Sequence, residues 1–342
     1  MGIETGAGTT MVAARVHQLG TPEAVRLDTV TRPAPGPGEL LVAVHAAAVN
    51  FSDLLMIEGR YQTTTQVPFV PGYECAGTVV GLGADVEGWA IGERVAAIAP
   101  SAFAEYVVAP ASSAARVPEG MSLVDASAVR VCHLTAYHAL RSAARIAPGE
   151  TVLVLGAGGG LGLAAVELAT LLGARVIAAA SSAEKRAAAL AQGAAHAVEA
   201  TDGRLRAALQ AQIGRGAVDV VFDPVGGGLA EEALREMRWG GRFVTLGYAS
   251  DEIPRIPLNL VMLKGVTIVG FEMRTFAEHD PASARSNRAD FDELWSSGRL
   301  RPLVGATFPL DGVREALAHV ARRRTVGKTV VVVRDDDAAP HD

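Results

Sequence analysis

The stretch that most restricts what this chain can become is TVLVLGAGGGLGLAAVELATLLGARVIAAA, residues 151–180. It opens on an apolar, β-rich run at 152–155, breaks at a glycine cluster, resumes as an apolar helix over 163–172, stops at Gly173 and re-enters a strand at 175–179. That order predicts one βαβ unit. The turn reads Ala157-x-Gly159-Gly160-x-Gly162, with Ala at the first place of the usual G-x-G-x-x-G, and Gly156 and Gly158 loosen the same turn further. Small residues here let backbone approach a pyrophosphate, whose charge then rests on the amides and positive end of the following helix. On its own the cluster is compatible with an ordinary tight turn. Set between a strand and a helix, it predicts a dinucleotide site at Gly158, Gly159, Gly160, Leu161 and Gly162.

A chain of 342 residues exceeds what one core comfortably fills, so two domains are expected. Residues 1–10 are Gly/Thr-rich and read as a loose tail. From about 12 to 110 short β-rich runs (12–16, 39–46, 77–82, 94–98, 104–108) alternate with Gly and Pro and show little helical periodicity, which predicts an irregular β domain. From about 125 onward helices (136–144, 183–192, 205–213, 229–237) alternate with strands (218–222, 242–246, 266–270), the pattern of a doubly wound parallel sheet. The fold class is therefore α/β. Helical segments follow at 291–297 and 313–323, and a last strand at 329–333 is expected to rejoin the first domain. The net charge of -6 without a basic patch argues against nucleic acid as partner. Two cysteines, Cys75 and Cys132, are too few for a disulfide scaffold or a structural zinc cluster and fit a reducing compartment. With no basic-then-apolar leader and no apolar run of membrane length, a cytoplasmic protein is expected.

Ten motifs in order carry a family resemblance: VNFSDLLMIEGRY (49–61), PFVPGYECAGTV (68–79), GERV (92–95), FAEYVV (103–108), LTAYHAL (134–140), the glycine turn, VDVVFDPVGG (218–227), GRFVTLG (242–247), IPLNLVMLKG (256–265) and RTVGKTVV (324–331). Together they resemble the medium-chain dehydrogenase/reductase superfamily and, within it, the zinc-free quinone oxidoreductases related to zeta-crystallin. The resemblance implies a GroES-like catalytic domain over 1–135 and 277–342 and a Rossmann domain over 136–276. It also implies a homodimer, in agreement with a segment at 264–271, KGVTIVGF, that is apolar on both faces and would end its sheet.

The zinc-dependent branch of this family holds its catalytic ion with a Cys, a His and a third Cys or His, and the matching places here are Asn50, Tyr73 and Val131. None can serve as such a ligand, so no metal is expected. Cys132 lies one position from the third place with His133 adjacent, which would allow only a rearranged set; Cys75 and Cys132 read better as buried packing residues.

Without a metal, the reaction must be one whose developing charge a neutral donor can stabilise, such as hydride addition to a quinone or to the β-carbon of an enone. The resemblance implies Asn50 and Tyr61 as those donors, Asp53 as the residue orienting their loop, and Tyr73 over the same cleft. Without it, Asn50 and Asp53 read as turn residues and Tyr61 as a half-buried aromatic. An NAD enzyme places an acid about 20 residues beyond the glycine turn. Ala180 stands there, followed by Ser181, Ser182 and Lys185, which favours NADPH. The resemblance adds Arg323 as a clamp on the 2′-phosphate and Thr135, Val225, Gly226, Leu246 and Gly247 along the rest of the cofactor. A family tyrosine is replaced by Ala200. The plainer alternative leaves Lys185 and Arg186 on a solvated helix face and Arg322, Arg323 and Arg324 as a charge run. Glu272, Met273 and Arg274 stand where relatives carry an aromatic and small residues; they either narrow the cleft and offer a cation to an acidic substrate or lie at the surface. Three functions remain open: an NADPH-dependent quinone or enone reductase, an enoyl-thioester or biosynthetic tailoring reductase, and an NADPH-binding structural protein without turnover.

Overall fold

Runs of small and β-branched apolar residues draw the first part of the chain into strands, as expected. In the computed structural model, which describes residues 9–63 and 65–334, β1 (Thr10–Val16) pairs antiparallel with β2 (Val25–Thr31). The next strand, β3 (Glu39–Val49), is buried along almost its whole length and runs into the short helix α1 (Phe51–Ile57). Then come β4 (Glu74–Leu82), β5 (Arg94–Ile98), β6 (Tyr106–Pro110), β7 (Ala114–Arg116) and the single-turn helix α2 (Leu123–Ala126). β3 is the spine of this sheet, pairing antiparallel with both β4 and β6.

The second part alternates helix and strand. Helix α3 (Cys132–His138) continues through a π-helical turn at Ala139–Ala143, after which come β8 (Thr151–Leu155), α4 (Gly160–Leu171), β9 (Arg175–Ala180), α5 (Ala183–Ala191), β10 (His196–Glu199) and α6 (Leu205–Ile213). They are followed by β11 (Val218–Asp223), α7 (Gly228–Arg235), β12 (Met237–Thr245), α8 (Leu258–Lys264), β13 (Thr267–Gly270), α9 (Met273–His279) and α10 (Pro281–Ser296). The six strands form a parallel sheet in the order β10-β9-β8-β11-β12-β13. Chain order thus reverses between β8 and β11, the switch point at which open α/β sheets bind ligands. Strands β8 and β11 are buried throughout, as befits a parallel sheet covered on both faces.

The chain closes with β14 (Val304–Pro309), α11 (Val313–Ala321) and β15 (Lys328–Val332). β15 lies antiparallel to β3, with Thr329 opposite Val49, so the last strand rejoins the first sheet as the sequence predicts.

Two compact units result: residues up to Val131 with those from Val304 onward, and Cys132–Leu303. Both crossings differ from the expected ones at 135/136 and 276/277. Thr135 falls inside α3, and the segment 277–303 packs with the parallel-sheet unit. The reason is an apolar face on α10 at helical spacing: Phe291 and Trp295 are buried, and the Phe291 ring meets that of Tyr137 on α3 at 5.8 Å between centroids. The loose tail expected over 1–10 lies, for 1–8, outside the described residues, and Thr10 already belongs to β1.

Candidate functional site

In the parallel-sheet unit the glycine turn sits at the switch point. Gly156 takes φ +62°, a region that glycine enters at least cost, immediately after β8 ends. A Cβ on Gly162 would lie 2.2 Å from the Gly156 carbonyl oxygen, so α4 can approach the turn this closely only with glycine at 162. Gly159 is the N-cap of α4 and offers no side chain to the first N–H groups of the helix. Those orphan donors, with the helix dipole behind them, suit an anion.

At the end of β9, Ser182 caps α5 by accepting the Lys185 N–H at 3.2 Å, and Ser181 is exposed beside it. The Lys185 stem lies against the turn, at 2.4 Å from where a Gly158 Cβ would stand. Its half-burial holds the ammonium below the ordinary lysine range, with Glu184 opposing. The Ala200 N–H donates to the Ala180 carbonyl at 3.1 Å, so the place of the family tyrosine adjoins this corner but carries only a methyl. At the end of β11, Asp223 is buried and accepts the Val225 N–H at 2.8 Å and the Gly226 N–H at 2.9 Å through Oδ1. Burial raises its pKa against those two hydrogen bonds. The Leu246 N–H donates to the Asp223 carbonyl at 2.9 Å, and Gly247 follows at the same strand end.

In the β-rich unit a second constellation forms around Asn50. The residue is the N-cap of α1 in a capping box whose other member is Asp53; the Asn50 N–H donates to Asp53 Oδ2 at 2.7 Å. Its side chain is buried, Nδ2 donating to Glu74 Oε1 at 3.0 Å and to the Ala48 carbonyl at 3.4 Å, Oδ1 accepting from Lys328 Nζ at 2.7 Å. Lys328 Nζ also donates to Glu74 Oε1 at 2.8 Å, and Glu74 Oε2 accepts the Val131 N–H at 2.8 Å. Burial, aided by Glu74 and opposed by the Asn50 N–H and Lys328, pushes the Asp53 carboxyl up to about 7. Tyr61 is half-buried just beyond α1, its N–H bonded to the Leu55 carbonyl, and Tyr73 is exposed immediately before Glu74.

The alcohol dehydrogenase GroES-like domain family matches residues 36–119, and the zinc-binding dehydrogenase family matches residues 160–287. Quinone oxidoreductase-like protein 2 of Mus musculus is 37% identical over 331 residues, spanning 96% of this chain and 94% of that protein. The chain belongs to the medium-chain dehydrogenase/reductase family, among its quinone oxidoreductases. Of solved structures, a mycobacterial protein complexed with NADPH superposes with a TM-score of 0.85 at 30% identity, covering 94% of this chain and all (100%) of that one. The Escherichia coli quinone oxidoreductase complexed with NADPH gives a TM-score of 0.84 at 27% identity, covering 94% of this chain and 100% of that chain.

Against this family's pattern the site residues divide. Gly158, Gly159, Gly160, Leu161, Gly162, Ser181, Ser182 and Lys185 come together at the ends of β8 and β9. Val225 and Gly226 lie at the neighbouring strand end, but their N–H groups are committed to Asp223. Arg323 belongs to the other unit, exposed on the turn after α11 at φ +55°. Asn50, expected as a donor to substrate oxygen, donates its amide hydrogens to Glu74 and Ala48. Together with Asp53 it forms the capping box of α1. Glu272 caps α9, accepting from the Arg274 and Thr275 N–H groups at 3.1 and 2.8 Å, while Arg274 is exposed. Glu74 and Lys328 were not singled out from the sequence; Glu74 only opens the apolar strand β4 and Lys328 only opens β15.

The residues present do not fit the family's catalytic zinc. Asn50, Tyr73 and Val131 supply no thiolate or imidazole, and the Lys328 ammonium stands 2.7 Å from the one amide oxygen available. A second cation within 4 Å of it would be repelled by about 4 kcal/mol per unit charge at an effective dielectric of 20. Cys132 and His133, neighbours on α3, do not face each other; His133 Nε2 pairs with Glu167 at 2.9 Å within the parallel-sheet unit. Among the described residues, no three His, Cys, Asp or Glu groups meet as a metal site. Cys75, whose thiol burial pushes up to about 12, is a packing residue of the first core.

Proposed function

We propose that the protein is a zinc-independent, NADPH-dependent reductase of quinones or α,β-unsaturated carbonyl compounds, cytoplasmic and homodimeric. The observation that carries the cofactor reading is the corner at β8 and β9: a glycine turn opening on an uncapped helix N-terminus, no acid at Ala180, and Lys185 folded onto Gly158. NADPH supplies the hydride when bound. The amides that open α4 would hold the pyrophosphate, and Ser181, Ser182 and Lys185 the 2′-phosphate. Tyr61 donates to the developing oxyanion, the role for which a phenol suffices because the charge is delocalised. Asn50 acts on that donor's loop through its cap rather than on substrate.

A panel of quinones, enals and enoyl thioesters, followed by NADPH absorbance, tests the reaction class. Turnover of quinones or enals supports this reading, turnover confined to enoyl thioesters selects the alternative of the same fold, and none at all leaves a binding protein. Lys185→Ala should weaken NADPH roughly tenfold or more and leave NADH nearly untouched, since a charge-assisted contact contributes about 1.5–3 kcal/mol. Equal losses for both cofactors would place the phosphate elsewhere. Tyr61→Phe should lower turnover by roughly a hundredfold at most; unchanged rates on every active substrate would make Tyr61 a wall of the site.

A further inference from the structure

The zinc-ligand places of the family's metal-bearing branch fall at Asn50, Tyr73 and Val131, on three separate segments of the β-rich unit. A metal bonded at all three would hold those segments together. In this chain something else does so. Glu74, adjoining Tyr73, takes the Asn50 amide on Oε1 at 3.0 Å and the Val131 N–H on Oε2 at 2.8 Å. Lys328 closes the cluster by donating to Asn50 Oδ1 at 2.7 Å and to Glu74 Oε1 at 2.8 Å. All three side chains are buried, Glu74 completely. A carboxyl group so deeply buried needs hydrogen-bond partners, and three donors occupy most of its acceptor capacity. The fourth segment is brought in by strand register: Thr329 lies opposite Val49, so Lys328 and Asn50 come next in line.

We propose that the buried Lys328–Glu74–Asn50 cluster does in this chain what a zinc ion does in the metal-bearing branch: one cation cross-links the three segments and fixes the loop that carries Asn50. Lys328 and Glu74 are positioning residues, acting on the site through Asn50 and the Val131 backbone. Lysine is suited to this because a buried ammonium offers three donors to a carboxylate and an amide oxygen at once.

The test begins with the purified wild type. Elemental analysis should find less than a tenth of an equivalent of zinc, and chelator should leave the melting temperature unchanged; one equivalent lost together with stability would overturn the proposal. Hydrogen exchange on Lys328→Met is then read by segment. Exchange should rise together, about tenfold, in peptides covering 49–55, 72–76 and 129–133, while 151–180 stays at the wild-type rate. A rise confined to β15 would sink the idea. Lys328→Met leaves a carboxylate buried without its cation, so the double variant Lys328→Met/Glu74→Gln is the control that folds more readily. In it the melting temperature should recover most of the loss while the exchange of the three segments stays fast. With any acceptor the wild type reduces, kcat should stay down by tenfold or more at a KM for NADPH within about threefold of wild type. Lys328→Arg, which keeps the cation, should restore much of the protection. Recovery of exchange in the double variant would mean that the pair matters only for folding. Zinc content and exchange need no acceptor, so they stand even where the proposed reaction fails.

Discussion

Asp53 illustrates how far a single buried group can be read. Its carboxyl is held near 7, against an ordinary aspartate value of about 3.9, because burial outweighs the Asn50 N–H and Lys328. Between pH of about 4 and about 7 the unfolded chain has released this proton and the native chain keeps it. Native protein therefore binds more protons, and stability falls as pH rises through that window, levelling off above it. His138 works the other way: burial, with Arg288 nearby, lowers it to about 4, so its contribution is lost as pH falls from about 6.5 towards 4. The two slopes oppose each other, and a variant is needed to see either. Asp53→Asn keeps an acceptor for the Asn50 N–H and removes the titration. Its stability relative to wild type, from urea denaturation, should rise by roughly 2–4 kcal/mol between pH 4.5 and pH 8; a constant difference would show that Asp53 ionises normally in the folded state. Asn50 and Asp53, three apart before an apolar run, were legible as a turn from the sequence. Their partners Glu74 and Lys328 were not, because 254 residues separate those two and only the pairing of β15 on β3 brings them together.

At the scale of elements, the glycine turn was legible almost to the residue, since a strand, a turn and a helix are local and each leaves its own period in the sequence. The boundary before β14 was not, because nothing in the composition of 277–303 says which core its apolar residues join; α3, where Tyr137 meets Phe291, decides that. The turn also separates two tasks of glycine. At Gly162 a Cβ would meet the Gly156 carbonyl oxygen at 2.2 Å, whereas at Gly159 the nearest atom is 3.6 Å away, an ordinary contact. Gly162→Ala must therefore move backbone and should cost roughly 1–3 kcal/mol of stability. Gly159→Ala should melt within a few degrees of wild type, yet bind NADPH at least tenfold more weakly, because its methyl would stand where phosphate approaches the helix. Equal melting temperatures for the two variants would show that the turn yields more easily than its packing suggests.

For the whole molecule, the surface that asks for a partner lies at the end of the parallel sheet. β13 is the terminal strand, paired on one side with β12, and nearby α8 leaves Leu258 77% exposed, Met262 73% and Leu263 66%. Trp239, at 78%, adjoins them: a Cβ on Gly265, which caps α8, would lie 3.0 Å from its ring. Apolar residues scattered singly on a surface need no explanation, but so many large ones gathered around one open strand edge do. An open edge strand can pair across a twofold axis with its own copy, since the same unpaired N–H and C=O groups are offered on both sides, and such pairing would cover the apolar residues around it reciprocally. Lys264 stiffens this surface by donating to the Met237 carbonyl at 2.7 Å, tying α8 to β12. The wild type should therefore sediment as a dimer. Ile268→Lys places a charge on the edge strand, Met262→Glu places one on α8, and the pair together should shift the protein to monomer by at least tenfold in dissociation constant while NADPH still binds at the β8–β9 corner. A wild type that sediments as a monomer at every concentration would leave these residues as an exposed surface for some other macromolecule, and a dimer indifferent to both charges would place the twofold contact elsewhere.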